Sequence, residues 1–149
     1  MKTIVKVIMV LLAAVTASSI AYAQGKPVIF TPKNIVWEND TEPGAPKGLM
    51  VAVLYGDPSK TEPYVVLVKF PAGSSFPLHT HPNVENVTIL SGTLGMTFGS
   101  SDKSKGELLP PGSFMSLPAN TSHFVWANKE VVIEISGNGP DETKLIKTK

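Results

Sequence analysis

The stretch from Gly73 to Gly92, G-S-S-F-P-L-H-T-H-P-N-V-E-N-V-T-I-L-S-G, constrains this chain more than any other. His79 and His81 stand two residues apart, and Glu85 follows four residues after the second. In an extended strand alternate side chains share a face, so this pair can present two imidazoles to one ion. Pro82-Asn83 reads as a turn, because proline fixes φ and asparagine tolerates turn geometry. That turn is expected to bring Glu85 back beside the histidines on the return strand. The chain has only three histidines, and the third, His123, lies in another apolar segment bounded by turns. Three imidazoles and a carboxylate suit a divalent transition metal, since imidazole is a good ligand for Zn, Cu, Fe and Ni. The expected metal ligands are therefore His79, His81, Glu85 and His123.

The punctuation around this stretch argues for an all-β domain. Twelve glycines and thirteen prolines divide the chain into short segments, too short for helices and of strand length. Strands are predicted over 49–55, 64–70, 76–81, 85–90, 93–98, 107–109, 113–117 and 131–135, with one more carrying His123. Placing Lys69 outside puts Val66, Val68 and Phe70 on the inner face. If His123 faces inward, Thr121 and Val125 do too, which leaves Phe124 and Trp126 on the opposite face. Two such aromatics predict a covered surface, either under the N-terminal arm or in a homodimer. Residues 24–48 read as an arm, anchored by Ile35 and Trp37, followed by a long polar loop. The charged tail, 140–149, reads as a loose extension with a short Leu145-Ile146 contact.

The first residues describe delivery. Lys2 and Lys6 precede an apolar run from Val7 to Val15, and Ala21-Tyr22-Ala23 has the small-x-small form of a cleavage site, so residues 1–23 are predicted to be a signal peptide. The run is shorter than the ~20 residues that span a bilayer. No membrane span is expected after cleavage, and the chain contains no cysteine to carry a lipoprotein anchor. The remainder, 24–149, suits a single domain exported to the periplasm or secreted. With no disulfide available, it must hold by packing, with bound metal as a possible supplement.

Several function classes drop out. All thirteen basic residues are lysines, so the guanidinium clamp common in phosphate recognition is absent and nucleic-acid binding is not expected. A nucleophilic triad would need a histidine already claimed by the metal site. No phosphate-cradling glycine loop and no dinucleotide fingerprint occur.

The stretch from Gly73 resembles the first motif of the cupin superfamily: Gly73, His79, His81, Glu85 and Gly92 stand at that motif's spacing. A second motif follows with departures: Gly112, Pro118, then Asn120 where glycine is usual, and His123 three residues later. The family's later asparagine position holds Ala127, with Asn128 one place beyond. Asparagine is among the least costly non-glycine residues at positive φ, so the turn is expected to survive. More loosely, the chain is similar to exported single-domain bacterial cupins. The resemblance implies a small antiparallel β-barrel or jelly roll, commonly dimeric, holding one divalent metal (Fe, Mn, Ni, Cu or Zn) on three histidines and a glutamate. It further implies dioxygenase, decarboxylase or isomerase chemistry on a small organic molecule.

Phe70, Phe76, Val87, Ile89, Met96, Phe98 and Met115 are candidates to line a pocket above the metal, with ordinary core as the competing role. Thr80, Asn86, Thr121 and Ser122 are candidates to orient the ligands. Nothing in the sequence places Tyr55 or Tyr64 near the site, and no catalytic residue is assigned. The two readings that stand are a metal-dependent enzyme, a dioxygenase or related oxidoreductase first, and a non-catalytic periplasmic module that binds a metal or small ligand.

Overall fold

A computed structural model describes residues 26–147; the predicted signal segment lies outside the described residues. The chain runs through β1 (Glu38–Asn39), β2 (Met50–Tyr55), β3 (Pro63–Phe70), β4 (Ser74–Thr80), β5 (Glu85–Ser91), β6 (Leu94–Phe98), β7 (Glu107–Leu109), β8 (Phe114–Leu117), β9 (His123–Ala127), β10 (Val131–Asn138) and β11 (Lys144–Leu145). The one helical element among the described residues is a single 3-10 turn, Lys103–Lys105. All pairings are antiparallel. They form a six-stranded sheet in the order β1-β2-β3-β10-β5-β8 and a five-stranded sheet in the order β11-β4-β9-β6-β7. This is the expected all-β jelly roll.

The two sheets bury one apolar layer between them. From the larger sheet come Tyr64, Val66, Val68 and Phe70 of β3, Val131 and Ile133 of β10, and Val87 and Ile89 of β5. The smaller sheet supplies Phe76 of β4, Leu94 and Met96 of β6, and Val125 and Ala127 of β9. The inner face read for β3 therefore holds. The turns between strands use the left-handed backbone their residues allow, with φ of 75° at Gly73, 74° at Gly92 and 86° at Gly112. Asn120 takes the same conformation, φ 62°, as its chemistry predicts.

Three expectations are corrected. First, the strands bearing His79 and Glu85 do not pair with each other: β4 pairs with β9 and β11, whereas β5 pairs with β10 and β8. The Pro82-Asn83 turn thus carries the chain from one sheet to the other. Glu85 meets the histidines across the barrel rather than along a hairpin.

Second, Phe124 and Trp126 need no partner chain. They are 8% and 5% exposed and form a second cluster with Leu78, their rings stacked 5.8 Å apart. The chain's own 99–106 segment covers Trp126, with Lys103 Nζ 5.6 Å from its ring centre. The arm lies elsewhere, over the outside of β3, where Lys69 Nζ sits 4.1 Å from the Trp37 ring centre. Residues 26–37 form no strand.

Third, the tail is ordered into the sheet. Lys144 pairs with Thr80 and Leu145 with His79, and the Ile146 N–H donates to the Leu78 carbonyl at 2.8 Å. Charged residues along the tail suggested a loose end, but their backbone completes the edge of β4.

Candidate metal centre

His79 reaches the interior through an irregularity in β4. From Ser74 to Phe76 the strand pairs regularly with Ala127 to Val125, but the register shifts before His79, which lies opposite His123. The extra residue is a β-bulge, and it turns the chain so that Phe76 and His79, three apart, both face inward. Leu78 faces out into the Phe124–Trp126 cluster. Strict alternation would have sent Phe76 and His79 to opposite faces. His81 stands just past the end of β4.

The three imidazoles converge. Their ligand-capable nitrogens lie within 4.8 Å of one another, and His79 and His123 have ring centroids 4.1 Å apart. Glu85 Oε2 comes across from β5 to 3.6 Å from His123 Nε2 and 3.8 Å from His81 Nε2. The three imidazoles therefore meet at one point and Glu85 stands against two of them, with His79, Glu85 and His123 buried.

Two of the three rings are held by their other nitrogen. His79 Nδ1 lies 2.6 Å from the Pro77 carbonyl, and His123 Nδ1 lies 3.0 Å from the Thr121 carbonyl. A carbonyl only accepts, so Nδ1 carries the proton in both and Nε2 turns a lone pair to the centre. Thr121 thus orients His123, as proposed from the sequence, but through its backbone. His81 Nδ1 lies 3.1 Å from Asp141 Oδ1, near enough for charge pairing although off the line of a well-formed hydrogen bond.

The electrostatics agree. Burial, with His123 adding repulsion, holds His79 down to about 3, and burial holds His123 down to about 4, so both rings stay neutral. For His81, burial pulls down, but Asp141 and Glu85 outweigh it and the net shift is upward. Burial pushes the Glu85 carboxyl up to about 7 against the pull of His81. Glu85 Oε2 is buried without a hydrogen-bond partner. Imidazole lone pairs and an orphaned carboxylate oxygen face each other here, and the chemistry of this donor set fits a divalent metal.

Above this point lies a cavity of ≈ 350 Å³. Phe70, Phe76, Val87 and Met96 line it as expected, together with Val66, Val68 and Ile133. Ile89 and Met115 instead pack in or against the core, and Phe98, at the end of β6, is 58% exposed. The polar loop predicted as a mere connection forms one wall, through Asp40, Thr41 and Glu42, and the tail contributes Asp141 and Thr143. Among the described residues no lysine lines the cavity. Tyr64 also belongs near the site: burial, then Asp141, Glu85 and Glu42, raise its phenol far above the ordinary value. Sequence reasoning missed Asp141 and Tyr64 because neither sits within the histidine motifs, and only the fold brings them close.

A sequence-family profile described as a domain of unknown function (DUF4437) matches residues 18–142. No curated protein matches the chain. Among solved structures, the polyketide cyclase RemF from Streptomyces resistomycificus superposes with a TM-score of 0.68, at 16% identity, over 83% of this chain and 88% of that one. An RmlC-like cupin from Shewanella frigidimarina NCIMB 400 gives 0.61 at 14% identity, over 76% and 91% of the two chains. The DMSP lyase DddQ from Ruegeria pomeroyi DSS-3 gives 0.60 at 16% identity, over 82% and 72%. At such identities the likeness establishes the fold, that of the cupin superfamily.

Proposed function

The chain belongs to the cupin-like DUF4437 family, and from that premise we propose that it is a metal-dependent enzyme acting on a small organic molecule. The observation that carries this reading is the convergence of three imidazoles and Glu85 at one wall of a largely apolar cavity of ≈ 350 Å³. A concave, apolar pocket with a few convergent polar groups is the usual form of a small-molecule site. RemF and DddQ, which share the fold, are by name a polyketide cyclase and a DMSP lyase. His79, His81, Glu85 and His123 would hold the ion. It would supply Lewis-acid polarisation of a substrate oxygen and, if redox-active, electron transfer to dioxygen. A dioxygenase or related oxidoreductase is therefore the first form of the proposal.

A lyase or isomerase is the second form, and one observation favours it. Glu42 lines the cavity with Oε2 buried and unpartnered, and burial raises its pKa, so a carboxyl able to hold or release a proton faces the substrate space. The same wall selects the substrate. Glu38, Asp40, Glu42 and Asp141 line the cavity with no lysine beside them among the described residues, which favours neutral or cationic molecules over phosphates and carboxylates.

Metal-loaded protein should turn over a member of a small-metabolite panel, followed by oxygen electrode and by product analysis, and His79→Ala should abolish that turnover. Ligand-induced melting shifts with no turnover anywhere in the panel would instead establish the non-catalytic binding module. Residues 1–23 are proposed to direct export to the periplasm or beyond, and a mature N-terminus at Gln24 is the expected result of N-terminal sequencing. Among the described residues no helix is long and apolar enough to cross a membrane.

A further inference from the structure

We propose that Asp141, carried by the C-terminal tail, is a positioning residue of the metal centre that aims His81 Nε2 at the ion. The proposal rests on the metal-site reading above. The imidazole of His81 presents its two nitrogens to two different carboxylates. Nε2 faces Glu85 Oε2 at 3.8 Å, on the side where the other rings converge, and Nδ1 faces Asp141 Oδ1 at 3.1 Å. Asp141 therefore stands behind the ring, outside the ligand cluster.

The Asp141 approach is a charge pairing and not a well-formed hydrogen bond, and the other two rings show what fixing Nδ1 does. His79 and His123 are each fixed by a backbone carbonyl two residues earlier in the chain, Pro77 and Thr121. His81 has no such carbonyl bonded to Nδ1, because the chain leaves β4 just before it and enters the Pro82-Asn83 turn. Its partner comes instead from sixty residues downstream. A carboxylate in that place also makes the imidazole a more basic ligand than a carbonyl does.

Both sides of the contact are tied down. Asn83 Nδ2 donates to the Pro140 carbonyl at 3.0 Å, which links the turn after His81 to the residue before Asp141. The Asp141 N–H donates to the Pro58 carbonyl at 2.7 Å, and the Gly139 N–H to the Glu62 carbonyl at 3.0 Å. Pairing of β11 with β4 then holds the tail beyond it. At 19% side-chain exposure for Asp141 and 11% for His81, the pair is shielded enough from water to hold an orientation. The tail thereby completes the metal site rather than merely closing the sheet edge.

The test is the affinity of the full chain for Co(II) and Zn(II), measured by competition with a chelating indicator, together with the melting temperature of the metal-free protein. Asp141→Ala is expected to weaken both metals by about 10–100-fold. Asp141→Asn, which keeps an oxygen acceptor without the charge, should fall between that variant and the wild type. Glu142→Gln, the exposed neighbour in the tail, should bind as the wild type does. Wild-type affinity in Asp141→Ala would overturn the proposal while leaving the metal site standing. Equal weakening in both Asp141 variants together with a lowered metal-free melting temperature would mark Asp141 as a structural tether and overturn it too. A wild-type protein that binds neither metal would refute the metal-site reading itself, and this proposal with it.

Discussion

Replacing Glu85 with glutamine is expected to stabilise the metal-free protein at pH 8 by about 3 kcal/mol while abolishing tight metal binding. Burial raises this carboxyl from the model-compound value of 4.5 to about 7, so the folded chain holds its proton more tightly than the unfolded chain does. Its contribution to stability is therefore intact below pH 4.5 and is lost as the pH climbs through 7. Above that, the folded protein buries a carboxylate whose Oε2 has no partner. Glutamine removes the charge, keeps the shape, and brings an amide N–H that can donate to the Nε2 lone pair of His123, 3.6 Å from the present oxygen. Denaturant titrations of metal-free wild type and Glu85→Gln at pH 5 and pH 8 decide the matter. The two should be nearly equal at the lower pH and diverge at the higher. A variant less stable at pH 8, or an unchanged pH slope, would show that burying the Glu85 carboxylate costs the metal-free fold nothing.

Trp126→Ala is expected to cost about 3–5 kcal/mol, the range for removing a large buried aromatic. The indole is 5% exposed, stacked on Phe124, and pressed so closely by β6 and the 99–106 segment that a Cβ at Gly95 or Gly106 would fall inside van der Waals contact with it. Glycine at these two positions is a packing requirement. The same deletion would be nearly neutral if Trp126 were an outward residue waiting for a second chain, so urea unfolding of the variant at low protein concentration separates the two cases.

The histidine cluster was legible because its chemistry is selective: the three histidines stand only in motif positions, and Gly73, Gly92 and Gly112 mark turns that only a few residue types tolerate. The inner face of β3 was legible too, since Val66, Val68 and Phe70 are buried while Lys69 between them is only half-buried. What period-2 reasoning does not carry is which strands share a sheet. The spacing from His81 to Glu85 fits a hairpin and a sheet-to-sheet crossing equally well, and hydrogen bonding decided for the crossing. The bulge before His79 was hidden for a related reason, because Phe-Pro-Leu-His alternates no apolar and polar residues to betray an added residue. Phe124 and Trp126 were correctly placed on the outer face but assigned the wrong cover, since the 99–106 segment that buries Trp126 is polar by composition. Asp141 lay in a charged tail that gives no local sign of structure. Its role depends on a contact with His81 made only after the whole barrel closes.

The central claim is that this donor set is built around a cation. Elemental analysis of full-length protein, purified without chelators and reconstituted anaerobically, tests it most directly. The account predicts about one divalent transition metal per chain, absent from His123→Ala prepared in the same way. Wild-type protein that remains free of metal after reconstitution would contradict it.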